Sequence, residues 1–148
     1  MFSHIAAAFV ILLSLGAGRF ISEPSSEDKI VTLELRPIGN ELEFEQKEIR
    51  AKAGQKIRVV FTNTSSVMPH NVVILDAASA IDRVGVAAMT AENYIPEDEA
   101  ILAYTSVAGP GETVEVAFTA PAEPGEYPFI CTVPGHYYMM RGILKVTG

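Results

Sequence analysis

Four residues of types that bind copper stand in two short segments of the sequence. His70 lies in MPHNVVIL, residues 68–75, and Cys131, His136 and Met140 lie in CTVPGHYYMM, residues 131–140. Two imidazoles, one thiolate and a weak thioether are acceptable to both Cu(I) and Cu(II). The grouping therefore predicts a copper site with His70, Cys131 and His136 as ligands and Met140 as a weaker one.

The spacing of these residues supports a single metal site. Residues 127–131 are predicted to form a strand that Cys131 closes, and Pro134-Gly135 then turns the chain so that His136 can return to the same ion. His70 must come from a distant strand. A metal held by both segments would be tied to the tertiary fold and not to one loop.

Each candidate also has an ordinary structural interpretation. A lone cysteine such as Cys131 is usually a small buried hydrophobe, and methionine is a common gap-filler in cores. His70 and His136 could be histidines with no metal role. The shared pattern favours the metal site over these alternatives, whereas His4 keeps the ordinary interpretation. Met139 beside Met140 is a second thioether of the same type.

Length and composition indicate one folded domain. The chain has 148 residues, of which 49% are hydrophobic and 20% are charged, as is usual for a globular domain. The formal net charge is −7. Nucleic-acid binders carry clustered Lys and Arg to neutralise phosphates, so this composition predicts no nucleic-acid partner.

The first 29 residues differ from the rest of the chain. Residues 5–18 are apolar or small, and residues 22–29 are polar and contain a proline. We expect residues 1–21 to be a signal peptide or an N-terminal membrane anchor, residues 22–29 a linker, and residues 30–148 the copper-binding domain. The location would be extracytoplasmic, either periplasmic or secreted, with or without a membrane anchor. Cys131 has no partner for an internal disulfide, and metal ligation would explain an unpaired thiol in that compartment.

The hydrophobic pattern beyond Lys29 predicts a β-sandwich. Apolar residues alternate with polar ones, as in strands with one buried face, in four groups: Val31, Leu33 and Leu35; Leu42 and Phe44; Ile57, Val59 and Phe61; Val114, Val116 and Phe118. Residues 72–75 are continuously apolar, which predicts a strand covered on both faces. Residues 101–105 form a further short strand. Ile81, Val84 and Ala88 have helical spacing, so one short helix is expected within residues 76–94, with Asp76 or Ser79 as N-cap.

The MPHN and CTVPGHxxxM segments resemble those of azurin and auracyanin in the cupredoxin, or type 1 blue-copper, family. The resemblance extends over residues 30–148 and implies an all-β, eight-stranded Greek-key sandwich with one copper near one end. It makes His70, Cys131 and His136 the trigonal ligands and Met140, not Met139, the axial one. It also gives Asn71 a role in bracing the two ligand segments. Pro69 departs from the family pattern, because azurin-like proteins carry there a glycine whose carbonyl gives a weak fifth contact.

The resemblance implies an electron carrier and not an enzyme. Copper would cycle between Cu(I) and Cu(II), exchanging electrons with extracytoplasmic redox proteins such as a cytochrome or a membrane oxidoreductase. The exposed edge of His136 would be the port, surrounded by the apolar residues Val67, Pro69, Val133, Pro134 and Met139. Copper storage or delivery is the main alternative, and a metal-free adhesive sandwich is another. Four protein ligands leave no clear open position for the substrate of a redox enzyme.

Overall fold

A computed structural model describes residues 29–148, which contain eight β-strands and one short α-helix. The bounds are β1 (Val31–Leu35), β2 (Glu48–Lys52), β3 (Lys56–Thr62), β4 (Val73–Leu75), α1 (Ile81–Ala88), β5 (Ile101–Tyr104), β6 (Thr113–Thr119), β7 (Gly125–Ile130) and β8 (Arg141–Thr147). The expected targeting segment 1–21, and all but the last residue of the expected linker, lie outside the described residues. Within residues 29–148, no helix has the length and apolar character needed to cross a membrane.

The strands form two sheets that enclose the main core. One sheet has the order β1-β3-β6 and the other the order β2-β8-β7-β4-β5. The pairs β1–β3 and β2–β8 are parallel, and the other pairs are antiparallel. This architecture confirms the predicted all-β sandwich with about eight strands and one short helical insertion.

The alternating residues of β3 show why the period-2 pattern was informative. Ile57, Val59 and Phe61 have no exposed surface, whereas the residues between them are partly exposed. In β6 the apolar residues are only half-buried, since β6 lies at the edge of its sheet. Burial of a Val, Ile or Phe side chain contributes about 1.5–3 kcal/mol, so the inward row of β3 is a large part of the core.

Strand β4 is buried on both faces, which explains its continuous apolar sequence. Val72 and Ile74 belong to the main core between the sheets. Val73 and Leu75 face the other way and pack in a second cluster with Ile81 and other residues of the helical insertion. Helix α1 therefore covers the outer face of the sheet next to the segment that carries His70.

The prediction of a strand at residues 41–45 is wrong. Only Phe44 pairs there, through an isolated bridge to Pro37. The chain bends instead: the Ile38 amide donates to the Glu43 carbonyl (2.9 Å) and the Glu41 amide donates to the Ile38 carbonyl (2.9 Å). Phe44 is fully buried. This one buried aromatic side chain, without a paired strand, accounts for the apolar position in the alternating pattern. Strand β2, which lies just after this segment and pairs with β8, is not predicted by the alternation pattern.

The predicted side-chain cap of the helix is also wrong. Helix α1 has Ala80 at its N-cap, without a side-chain hydrogen bond, and neither Asp76 nor Ser79 caps it. A 3₁₀ turn, Ala78–Ala80, runs directly into α1, and the Ile81 amide donates to the Ala78 carbonyl. The preceding turn thus supplies a backbone acceptor where the prediction placed a side chain.

Candidate metal centre

Three of the predicted ligands converge at one end of the sandwich. The Cys131 Sγ lies 3.7 Å from the His70 Nδ1 and 3.6 Å from the His136 Nδ1, and the two nitrogens are 3.2 Å apart. Metal–imidazole and metal–thiolate bonds are about 2.0–2.1 Å and 2.3 Å, so donor atoms that share one ion at trigonal or tetrahedral angles lie roughly 3.2–3.8 Å apart. The three donor atoms therefore fit one metal ion.

The two adjacent methionines differ sharply in burial. Met140 is fully buried, whereas Met139 is 66% exposed. The Cys131 amide donates to the Met140 carbonyl at 3.0 Å, which places Met140 next to the cysteine. Burial beside the donor cluster supports Met140 over Met139 as the axial ligand, and that assignment stays a prediction.

Residues 131–140, here called the ligand loop, follow β7 and turn back by local hydrogen bonds. Gly135 has φ +82°, a conformation that favours glycine. The His136 amide donates to the Val133 carbonyl at 2.9 Å, and a 3₁₀ turn, His136–Tyr138, follows. The Met140 amide donates to the His136 carbonyl at 2.8 Å. The loop therefore returns His136 to Cys131, as the Pro-Gly turn predicted.

Residues 63–72, here called the His70 arm, are held by a network around Asn63. His70 and Ala108 exchange two backbone hydrogen bonds of 3.0 and 2.8 Å. The buried Asn63 Nδ2 donates to the carbonyls of Ala108 (2.9 Å) and Met68 (2.8 Å), and its Oδ1 accepts from the Ser65 amide (3.0 Å). Asn63 thus holds both the backbone that precedes His70, at Ser65 and Met68, and the bridge partner of His70, Ala108.

Two buried side chains join the His70 arm to the ligand loop. The Asn71 Nδ2 donates to the Thr132 Oγ1, and the Thr132 amide donates to the Asn71 Oδ1, both at 2.8 Å. Asn71 therefore braces the two segments, as the resemblance implied. Such partners of metal ligands orient them and tune the metal.

Burial controls the protonation of the metal-free site. It raises the pKa of the Cys131 thiol to about 11, against the opposing effect of backbone hydrogen bonds from Asn71 and Val133. Burial, with a smaller contribution from the charge of His136, lowers the pKa of His70 to about 4. Burial likewise lowers the pKa of His136. At neutral pH the imidazoles are therefore neutral and can donate a lone pair, while a metal must displace the thiol proton.

The two histidines differ in their access to the surface. His70 is fully buried, and within the described part of the chain its Nε2 has no hydrogen-bond partner. His136 is partly exposed, and its Nδ1 lies 3.6 Å from the Cys131 Sγ. Val67 and Met139 are each 66% exposed.

Of the five apolar residues expected at this surface, Val133 departs from the expectation, because it is only 7% exposed. Val133 is held inside the loop, where its carbonyl accepts the His136 amide. Pro69 and Pro134 are exposed, as expected of residues at such a surface.

Sequence reasoning missed Asn63, Thr132 and Tyr137. Asn63 directly follows strand β3, and a polar residue at the end of an apolar strand is a weak signal for a bracing role. Tyr137 stands between two predicted ligands and is 1% exposed. Its position in the motif was visible, but its burial was not.

Comparison with known proteins agrees with this fold and with copper binding. Residues 31–147 match the family described as copper-binding proteins of the plastocyanin/azurin family. Auracyanin-A of Chloroflexus aurantiacus is 44% identical over 121 residues, which cover 78% of this chain and 74% of that protein. Azurin-1 of Alcaligenes xylosoxydans xylosoxydans is 34% identical over 119 residues, which cover 73% of this chain and 92% of that protein.

A solved structure gives the same result. Auracyanin A, described as a "blue" copper protein, matches with a TM-score of 0.77 and 41% identity, over 80% of this chain and 100% of that one. The family match spans all eight strands and both segments of the donor cluster. This chain therefore belongs to the plastocyanin/azurin family of copper-binding proteins, the cupredoxins.

Proposed function

We propose that this protein is a type 1 blue-copper electron carrier whose copper is held by His70, Cys131, His136 and, weakly, Met140. The observation that carries the proposal is the convergence of two imidazole nitrogens and one sulfur within 3.7 Å of each other. Bound there, copper would supply a one-electron couple between Cu(I) and Cu(II).

The protein's part in this function is to hold the donors still. Each predicted ligand other than His136 is fully buried, and the Asn71–Thr132 pair joins the segments from which they come. A donor set fixed by packing and hydrogen bonds changes little with the oxidation state of the metal. Small rearrangement favours fast electron exchange.

Electrons would enter and leave through the partly exposed edge of His136. The exposed side chains of Val67, Tyr138 and Met139 lie in the segments flanking the donor cluster and offer apolar contact area. A small apolar patch suits the weak, short-lived encounters typical of electron-transfer partners, which bury less than about 1,200 Å². We propose extracytoplasmic redox proteins, such as a cytochrome or a membrane oxidoreductase, as partners.

We also propose the domain arrangement predicted above. Residues 1–21 would direct export or anchor the chain, residues 22–29 would tether it, and residues 30–148 would form the copper domain. The family match at residues 31–147 supports the last boundary. Mass spectrometry of the mature protein would distinguish a cleaved signal peptide, which gives a new N-terminus near residue 22, from a retained anchor.

Storage or delivery of copper is the competing function. It requires a site that releases its metal readily, for which exposed ligands are better suited. Cys131, His70 and Met140 have no exposed surface. This burial favours retention of the metal, and hence electron transfer.

The test is to add Cu(II) to purified protein containing residues 29–148 and to record its visible spectrum. We expect an intense blue thiolate-to-copper band that ascorbate bleaches. Cys131→Ser should lose the band, while Met139→Leu, a change at an exposed neighbour, should keep it. A colourless wild-type protein would contradict the proposal.

A second measurement separates carrier from delivery protein. The copper-loaded protein is mixed either with a reduced cytochrome or with a Cu(I) chelator after reduction. We expect electron exchange with the cytochrome to be much faster than transfer of copper to the chelator. Metal loss at a rate equal to or above electron exchange would favour delivery.

A further inference from the structure

We propose that helix α1 positions the ligand loop through a contact between Gly85 and Tyr137. Tyr137 follows His136 directly and stands three residues before Met140. It is 1% exposed and is among the largest fully buried side chains of the described residues. The side chain that lies between the two ligands in sequence is thus an anchor of the loop.

Gly85 supplies the space that this ring occupies. A Cβ atom at residue 85 would lie 2.3 Å from the Tyr137 Cγ and 2.5 Å from each Cδ. Those distances place the ring against the backbone of α1, where any side chain on residue 85 would collide with it. Glycine is the poorest helix former after proline, so its presence inside α1 fits a need for this close approach.

The contact between Gly85 and Tyr137 holds the ligand loop at a second place, outside the main core. Cys131 and Met140 belong to the main core between the sheets. Tyr137 instead packs in the second cluster, which includes Ile81 and Val84 of the helix. The loop therefore contributes side chains to two separate apolar clusters, and Tyr137 is the residue that it contributes to the second.

The same helix also covers the strand next to the His70 arm. Val73 and Leu75 of β4 lie in the second cluster with Tyr137, and β4 begins three residues after His70. Since His136–Tyr138 is one 3₁₀ turn, a displacement of the Tyr137 ring would move the backbone of His136. Helix α1 thus sets the position of one histidine relative to the other.

This inference rests on the proposed copper site, so the test measures copper binding directly. Cu(II) affinity is determined by competition titration, together with the visible and electron paramagnetic resonance spectra, for the wild type, Gly85→Ala and Val86→Ala. Val86 is the matched control, because it lies on the same helix and is half-exposed. The melting temperature of each metal-free protein is recorded in parallel.

We expect Gly85→Ala to weaken Cu(II) binding by about 10- to 100-fold, the usual cost of disturbing groups that orient metal ligands. Its blue band and copper hyperfine splitting should shift as well. Val86→Ala should leave affinity and spectra unchanged. A Gly85→Ala protein with wild-type affinity and spectra, even with a lower melting temperature, overturns the positioning role and leaves the proposed function intact. A wild-type protein that binds no copper overturns the proposed function itself.

A second pair of variants decides the matter if Gly85→Ala does not fold. Tyr137→Phe retains the ring and should bind Cu(II) as tightly as the wild type. Tyr137→Leu loses the ring contact and should bind at least about tenfold more weakly. Equal affinities for the Phe and Leu variants would overturn the inference.

Discussion

The His70 arm and the ligand loop hold their predicted ligands by different forces. In the arm, the buried Asn63 makes three hydrogen bonds to backbone groups around His70. In the loop, the buried side chains that fix the chain are mainly apolar or aromatic, with Met140 in the main core and Tyr137 in the second cluster. Hydrogen bonds define a direction, whereas apolar packing mainly defines a position.

This difference matches the exposure of the two histidines. The arm surrounds a histidine with no exposed surface, where unpaired backbone groups would be costly and the Asn63 side chain satisfies three of them. The loop carries a histidine that is partly exposed. The buried side chains of Met140 and Tyr137 can hold the loop in place while His136 stays partly at the surface. Removal of polar groups should therefore damage the arm, and removal of apolar groups should damage the loop.

The largest effect is expected from Met140→Ala in the ligand loop. Met140 has no exposed surface, and truncation of a buried methionine to alanine typically costs about 2–5 kcal/mol. We expect a loss of about 3–4 kcal/mol in the free energy of unfolding of the metal-free protein, measured with denaturant. The blue band of the copper form should change as well.

Met139→Ala is the matched control for that change. Its side chain is 66% exposed, so the free energy of unfolding should stay within about 0.5 kcal/mol of the wild type. Equal losses for the two methionine variants would show that the loop is not anchored through Met140.

The His70 arm is tested by Asn63→Ala. This change removes the side-chain partner of the Ser65 amide and of the Met68 and Ala108 carbonyls, although the Ala108 carbonyl keeps the hydrogen bond from the His70 amide. An unsatisfied buried group costs about 1–3 kcal/mol, and water and small rearrangements would recover part of the sum. We expect a loss of about 2–3 kcal/mol in the free energy of unfolding.

Asn40→Ala provides the control, because Asn40 lies outside the arm but accepts hydrogen bonds from it. The Asn40 Oδ1 accepts from the Ser66 amide at 2.8 Å and from the Ser65 and Ser66 hydroxyls at 3.0 and 3.2 Å, but Asn40 is exposed, so water can replace it. The expected loss is below about 1 kcal/mol. A loss for Asn40→Ala as large as that for Asn63→Ala would remove burial as the reason for the effect.

Sequence alone identified the residues whose chemistry is specific. His70, Cys131 and His136 were predicted from type and spacing, and their donor atoms converge. Alternation predicted β1, β3 and β6 because one face of each of these strands is more buried than the other. The continuous run of β4 predicted burial on both faces, which the second cluster explains.

The supporting residues could not be predicted in the same way. The role of Asn63 depends on which carbonyls the folded chain brings to it, and one of them lies 45 residues away. Gly85 lies in a helix and does not have a positive φ, so neither feature indicates its importance. The need for glycine there arises from the Tyr137 ring that packs against it. The strand predicted at residues 41–45 is wrong because alternation records burial, and here one buried aromatic, Phe44, produced the pattern without a pairing strand.

Thr132→Val tests the bridge between the two regions. Valine keeps the shape of threonine but removes the Oγ1 that accepts from the Asn71 Nδ2, leaving a buried donor unpaired. We expect a loss of about 1–2 kcal/mol in stability. Cu(II) binding should weaken about tenfold, since the two ligand segments lose one of their links.

Thr105→Val is the control for the bridge. Thr105 is also fully buried, and its Oγ1 accepts from the Val72 amide at 3.0 Å, so a similar loss of stability is expected. Its partner lies on the His70 arm alone, however, and Cu(II) affinity should stay at the wild-type value. If both threonine variants weaken copper binding equally, the link between the segments is not what matters.

The smallest effect is expected far from the metal, at Tyr127. Its hydroxyl donates to the Glu123 carbonyl at 2.8 Å, which fits the tyrosine-corner arrangement, and Tyr127→Phe removes only that bond. Net stabilisation by one hydrogen bond is about 0.5–1.5 kcal/mol, and the partly exposed setting favours the lower half of that range.

Tyr127 precedes Cys131 by four residues along β7, a separation of about 13 Å in an extended strand. Stability should therefore fall slightly while Cu(II) affinity and the blue band stay unchanged. A shifted band in Tyr127→Phe would mean that the metal site is coupled to the whole of β7, so that the arm and the loop could not be treated as its two separate supports.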